Sequence, residues 1–181
     1  ALSPLIDKED IMAALQRYEG VLVDYYYQGM QKKLGLTTHE ADDNQLAFSL
    51  LDILMKNNMD YTRSFRALSH VSKTDSICAL RDDCLDRDTF DKWFQQYSAR
   101  LQREPIADAQ RQQQMQAVNP KFILRNYLAQ IAIEKAEKGD FSELDTLLML
   151  LQSPFAEHPD YERYADLPPD WGQDLEISCS S

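Results

Sequence analysis

The sequence predicts an all-α protein, a helical bundle of about six to seven helices with αα-hairpins and an irregular C-terminal tail. Apolar residues recur at three- and four-residue spacing through most of the first 152 positions, and helix-starting and helix-stopping residues bracket those runs. The only strand-like alternation is Leu175-Glu176-Ile177, and a solitary strand cannot stand alone. The spacing divides the chain into a helical domain, 1–152, and an acidic, proline-containing tail, 153–181, that ends in Ser-Cys-Ser-Ser.

Pro4 and Asp7 precede an apolar stripe, Ile11, Leu15, Leu22, Tyr26 and Met30, that runs to Leu34 and stops at Gly35. Tyr18, Tyr25, Tyr26 and Tyr27 resemble a stacking platform, but aromatics on consecutive helical positions point in different directions and cannot form one face, so packing in core and rim is expected of them. After a polar connection, Thr37 to Asn44, the residues Leu46, Leu50, Leu51, Leu54 and Met55 form a second helix that ends near Asn57-Asn58. Asp60 opens a short third helix, Tyr61 to Leu68. Ser69 to Asp86 reads as a long loop around a short helical turn. Asp88 is placed to cap a helix whose Phe90, Trp93, Phe94, Tyr97 and Leu101 form a core stripe. Pro105 interrupts, and the glutamine-rich stretch Ala107 to Ala117 resumes as a helix with little to bury, expected outermost.

The strongest pattern spans Asn119 to Leu151. Asn119 as cap and Pro120 at the first helical position predict a central helix that buries two stripes, one through Leu124, Tyr127, Leu128 and Ile131, the other through Phe122, Ala129, Ile133 and Ala136. Gly139 supplies a left-handed stop, and Asp140 with Glu143 forms a capping box for a helix through Leu144, Leu147, Leu148 and Leu151. Asp60-Tyr61-Thr62 and Asp140-Phe141-Ser142 suggest that two hairpins share one turn design. The tail is too apolar at Tyr161, Tyr164, Leu167, Trp171, Leu175 and Ile177 to be disordered, so it is expected to drape over a surface, one that this chain need not contain.

Composition narrows the function classes. The formal net charge is −11, and from Ser153 onward seven acids face Arg163 alone, so phosphate backbones would be repelled and nucleic acid is not expected as a partner. No window reaches the roughly 18 uninterrupted apolar residues of a membrane span. Cys78, Cys84 and Cys179 are too few and too irregularly spaced for a zinc site or a disulfide framework, which points to a reducing, cytoplasmic compartment. His39, His70 and His158 stand in separate polar stretches and read as surface residues, not as metal ligands. The opening Ala1-Leu2-Ser3-Pro4, without an initiating Met, predicts a fragment of something longer.

Signatures of catalysis are missing. Five glycines form neither a dinucleotide-binding turn nor a phosphate loop, and no kinase triplet or nucleophile elbow occurs. The adjacent acids Asp42-Asp43 and Asp82-Asp83 sit in polar stretches where capping and solubility explain them.

Six segments add a resemblance: Asp60-Tyr61-Thr62-Arg63-Ser64-Phe65-Arg66, Met115-Gln116-Ala117-Val118-Asn119-Pro120, Leu124-Arg125-Asn126-Tyr127-Leu128-Ala129, Ala136-Glu137-Lys138-Gly139-Asp140, Pro168-Pro169-Asp170-Trp171 and the terminal Ser178-Cys179-Ser180-Ser181. In this order they resemble the C-terminal part of the selenoprotein O (YdiU) family. That resemblance implies a pseudokinase-like protein adenylyltransferase that binds ATP with magnesium or manganese and transfers AMP to protein hydroxyl side chains. The family's catalytic, nucleotide-binding and metal-binding groups belong to a kinase-like part that precedes this region. None of them maps onto a position here, and this stretch alone is expected to bind no cofactor and to be inactive. One residue does map: eukaryotic members place selenocysteine third from the end, where Cys179 stands, which implies a redox role. An exposed terminal thiol suits such a role, although Asp174 and Glu176 nearby would raise its pKa. Its partner is expected in Cys78, in Cys84 or in a cysteine of the preceding part.

Two functions follow as expectations. In the first, this helical region supports or regulates the kinase-like core of the same full-length chain, which acts on protein substrates. In the second, it is an independent helical interaction module without catalysis, whose hairpin grooves bind a partner peptide.

Overall fold

The computed structural model describes residues 7–177. Among them are seven α-helices, three short 3-10 helices and no strand, so the fold is all-α. The helices are α1 (Lys8–Lys33), α2 (Asp43–Lys56), α3 (Tyr61–Leu68), α4 (Arg87–Gln102), α5 (Asp108–Gln116), α6 (Asn126–Ala136) and α7 (Ser142–Gln152).

Two hydrophobic cores organise them. The larger gathers the end of α1, the inner faces of α2, α3 and α4, the 69–86 loop and Met115 of α5. Its centre is the α4 stripe, where Phe90, Trp93, Phe94, Tyr97 and Leu101 are all buried, as their spacing requires. Burying each such side chain contributes roughly 1.5–3 kcal/mol. The polar ends of the two amphipathic rings are satisfied: Trp93 Nε1 donates to Leu46 O at 2.9 Å and Tyr97 Oη to Leu34 O at 2.9 Å. The long loop holds a 3-10 turn, Ala79–Asp83, flanked by the buried Cys78 and Cys84.

The smaller core joins Phe122, the inner faces of α6 and α7, and Tyr164 of the tail. The α6–α7 hairpin turns at Gly139, whose φ of +80° is the left-handed stop its sequence position requires. The tail covers a surface of this chain. Tyr161, Ala165 and Leu175 pack against the smaller core, Trp171 stands edge-on to Tyr127 at 6.1 Å, and Asn126 Nδ2 donates to Leu175 O at 2.8 Å. Residues 175–177 form no strand.

Several local expectations are corrected. The helix foreseen from Asn119 starts at Asn126, because Asn119 is wholly buried and spends its side chain on distant partners, so it caps nothing. Its second apolar stripe is only partly covered, with Ile133 about half exposed, and Leu124 of the first stripe is about half exposed as well. Asp86, not Asp88, caps α4, accepting from Thr89 N at 3.1 Å. The capping box at α7 does not form: Asp140 accepts from Ser142 N, while Glu143 turns to Lys135 Nζ at 2.7 Å. Asp60, in contrast, accepts from Arg63 N as the N-cap of α3, so the two turns differ in design. Helix α5 buries Arg111 and Met115 completely and is not merely peripheral. Asp43 is buried, not part of a solvated acidic pair. The N-terminal two-thirds of α1, tyrosines 18, 25 and 26 included, lies exposed where core and rim packing was expected.

Candidate functional site

The most constrained polar structure is a seam between the two cores. Arg66, on α3, is 7% exposed. Its Nη1 donates to the carbonyls of Asn119 at 2.9 Å and Gln116 at 3.0 Å, and its Nη2 reaches Phe155 O and the Glu157 carboxylate of the tail. One side of the seam is closed by Arg125, whose Nη1 lies 2.6 Å from Asp60 Oδ2. The other side is closed by Asn119, which donates to Lys33 O at 2.9 Å and Ser69 Oγ at 3.2 Å. Lys33 returns bonds to Val118 O and Asn119 Oδ1, with its ammonium over the rings of Tyr61 and Phe65. Lys121 completes the seam by bridging Glu157 and Glu162 at 2.9 and 2.6 Å.

The electrostatics are those of structural ion pairs. Burial pushes the Asp60 carboxyl upward, but the Arg125 guanidinium and the Arg63 amide outweigh it and hold the group below its ordinary value. Lys121 does the same for Glu157, against a smaller opposing effect of burial. Burial alone lowers Lys33. The charged groups of the seam face an opposite charge or carbonyls, an arrangement that fixes chain segments, while the buried Nε atoms of Arg66 and Arg125 have no partner among the described residues.

A second buried cluster ties α4 to the α1–α2 connection. Arg100 Nε lies 2.6 Å from Asp43 Oδ1, and its Nη1 lies 2.7 Å from Glu104 Oε1. Glu104 also takes the amides and hydroxyls of Thr37 and Thr38. Its carboxyl, although burial works upward, is held down to about 2 by those hydroxyls, the Thr37 amide and Arg100.

Neither cluster suits the metal and nucleotide that the family resemblance implies. Among the described residues no three His, Cys, Asp or Glu side chains converge where an ion could be held. The buried acids Asp43 and Glu104 are already committed to Arg100. Cys78 and Cys84 carry no disulfide, and burial raises both thiols, Cys78 to about 11, which disfavours them as exchange partners. Cys179 lies outside the described residues. His39 and His70 are exposed, and His158 is half-buried against Ser153 Oγ at 2.8 Å.

A groove of about 380 Å³ between α6 and α7 has an entirely apolar lining that includes Leu124, Ile133, Leu144 and Leu148.

Residues 1–152 match the family described as protein adenylyltransferase SelO. The chain belongs to this family. Among SelO relatives, the protein nucleotidyltransferase YdiU of Yersinia pseudotuberculosis serotype O:1b is 49% identical over all 181 residues, which cover 38% of that protein. YdiU of Aliivibrio salmonicida is 50% identical over the same span, 37% of its length, and YdiU of Salmonella schwarzengrund is 47% identical over 180 residues. The chain thus spans less than two-fifths of these SelO relatives. Segments that carry the family resemblance meet at the seam: Asp60 and Arg66 come from one, Gln116 and Asn119 from a second, Arg125 from a third. Sequence reasoning missed this role for Arg66 and Arg125 and read Asp60 and Asn119 as local caps. The available hint was charged and amide residues inside apolar helical patterns, where they must find partners once buried.

Proposed function

We propose that these residues form the C-terminal helical region of a SelO-family adenylyltransferase that transfers AMP from ATP to protein hydroxyl side chains. ATP and magnesium or manganese are handled by a kinase-like core outside this stretch, and the helical region braces that core. The observation that carries this reading is the end-to-end match of all 181 residues to less than two-fifths of a protein nucleotidyltransferase. The commitment of each buried ion pair to internal architecture supports the division of labour. Cys179, in this reading, is a regulatory thiol whose partner lies in the core, since Cys78 and Cys84 are buried with raised pKa values. The whole protein works in the cytoplasm.

The test is a pair of measurements. Full-length protein incubated with ATP, divalent metal and candidate protein substrates is expected to leave AMP on Ser, Thr or Tyr, read by mass spectrometry. The 181-residue chain is expected to show no heat of ATP binding by calorimetry. ATP binding by the short chain would overturn the division of labour, and absence of transfer by the long one would overturn the activity. A second reading, an independent interaction module, rests on the apolar α6–α7 groove. It predicts that Ile133→Glu leaves AMP transfer unchanged while abolishing capture of an amphipathic partner helix.

A further inference from the structure

Helix α1 is 26 residues long, about 39 Å, yet the body of the protein engages only its last two turns. Before Tyr27 all its residues but Ile11 are exposed. The exposed portion is amphipathic. Ile11, Leu15, Tyr18, Leu22 and Tyr25 follow one another at four- and three-residue steps that place all five on one face, with Tyr26 at its edge, while Glu9, Arg17 and Asp24 lie on the other. Leu15 and Leu22 are 54% and 52% exposed. The face continues onto α2, where Phe48, itself 43% exposed, lies within 6.3 Å of the Tyr26 ring and 6.0 Å of the Tyr27 ring. Most of a helix's stability in water comes from covering such a face, and a contiguous apolar strip of this length marks an interaction surface.

We propose that this face of α1, residues 11–26, with Phe48 at its base, is the surface on which the remaining part of the same full-length polypeptide docks. The proposal rests on the family reading above, which puts more chain beside this one. Two observations select that occupant. The relatives that contain this stretch are more than twice its length, so a large folded partner accompanies it in the same molecule. A second copy would bring another chain of net charge −11 against the first, which opposes self-association through this face. The docked surface is apolar, and it reads the α1 strip through Leu15, Tyr18 and Leu22.

Single cysteines placed in the full-length protein test this, in a Cys179→Ser background. Leu15→Cys and Leu22→Cys sit on the face, and Arg17→Cys and Asp24→Cys on the back. Maleimide labelling, quantified peptide by peptide, is expected to be at least about tenfold slower on the face than on the back, because only local opening exposes a covered position. Equal rates on the two sides would overturn the proposal, and so would protection that disappears on dilution, which would assign the face to a second copy. Hydrogen exchange on the unsubstituted full-length protein gives the same answer without perturbing the fold. Slow amides across 11–26 are expected, and exchange as fast as at a frayed helix end would overturn the assignment. AMP transfer is measured separately, so a protected face in a protein without transfer would refute the activity and leave the interface standing.

Discussion

At the scale of single residues, the decisive features are buried charges paired with opposite charges or carbonyls. Arg100 neutralises Asp43 and Glu104, all three with side chains 3% exposed or less. Replacing it by Met strands two carboxylates in the core and is expected to cost about 3–5 kcal/mol in urea unfolding, more than a cavity of that size would. Glu104 also sets an acid limit. Its pKa falls from an ordinary 4.5 to about 2 in the fold, so its contribution is fully present above pH 4.5 and is lost as pH drops from there toward 2. The loss is on the order of 3 kcal/mol, and a Glu104→Gln variant is expected to show a correspondingly flatter stability profile below pH 4.5. Gly35 is constrained twice. Its φ is +71°, and a Cβ there would stand 2.5 Å from Met115 Sδ. Gly35→Ala is expected to lower stability by about 1–3 kcal/mol, against about 1 kcal/mol for Gly139→Ala, where φ is +80° but no atom lies within 4 Å. Thermal melts of the two variants separate crowding from backbone strain.

At the scale of elements, periodicity identified what forms and burial decided where it begins. The α4 stripe was legible because five large apolar side chains at helical spacing admit one arrangement, facing inward. Helix α3 was legible from its cap, and Asp60 does accept from Arg63 N at 2.8 Å. The same carboxylate also holds Arg125, a partner 65 residues away that no local rule supplies. Asp60→Asn is therefore expected to keep most of the cap and weaken the charge pair, whereas Asp60→Ala loses both, a difference of about 1–2 kcal/mol by chemical denaturation. The start of α6 was misplaced for the same reason in reverse. Asn119-Pro120 has the form of a helix opening, but a buried amide bonded to Lys33 O and Ser69 Oγ cannot also cap. The amides of Lys121 and Phe122 go to Pro154 O at 2.8 and 3.1 Å, which holds this stretch against the end of α7.

At the scale of the whole molecule, two cores are joined through a polar seam with Arg66 at its centre. Arg66→Met removes bonds to three carbonyls and the Glu157 carboxylate, and it is expected to lower hydrogen-exchange protection in α6, α7 and the tail more than in α2 and α4. The tail is fastened independently at Gly172, where a Cβ would meet Tyr127 Cβ at 2.7 Å. The sequence by itself determined the all-α class, the helical count, the hairpin stop at Gly139, the caged aromatics of α4 and the family, because these follow from local spacing, caps and motif order. Only the tertiary structure decided that Asp43, Arg66, Glu104 and Asn119 are buried, that the tail folds back on α6 and α7, and that α1 leaves an apolar face uncovered. The physical reason is that a polar side chain's partner, and an apolar face's cover, are chosen by which segments meet in space, and helical periodicity carries no record of that.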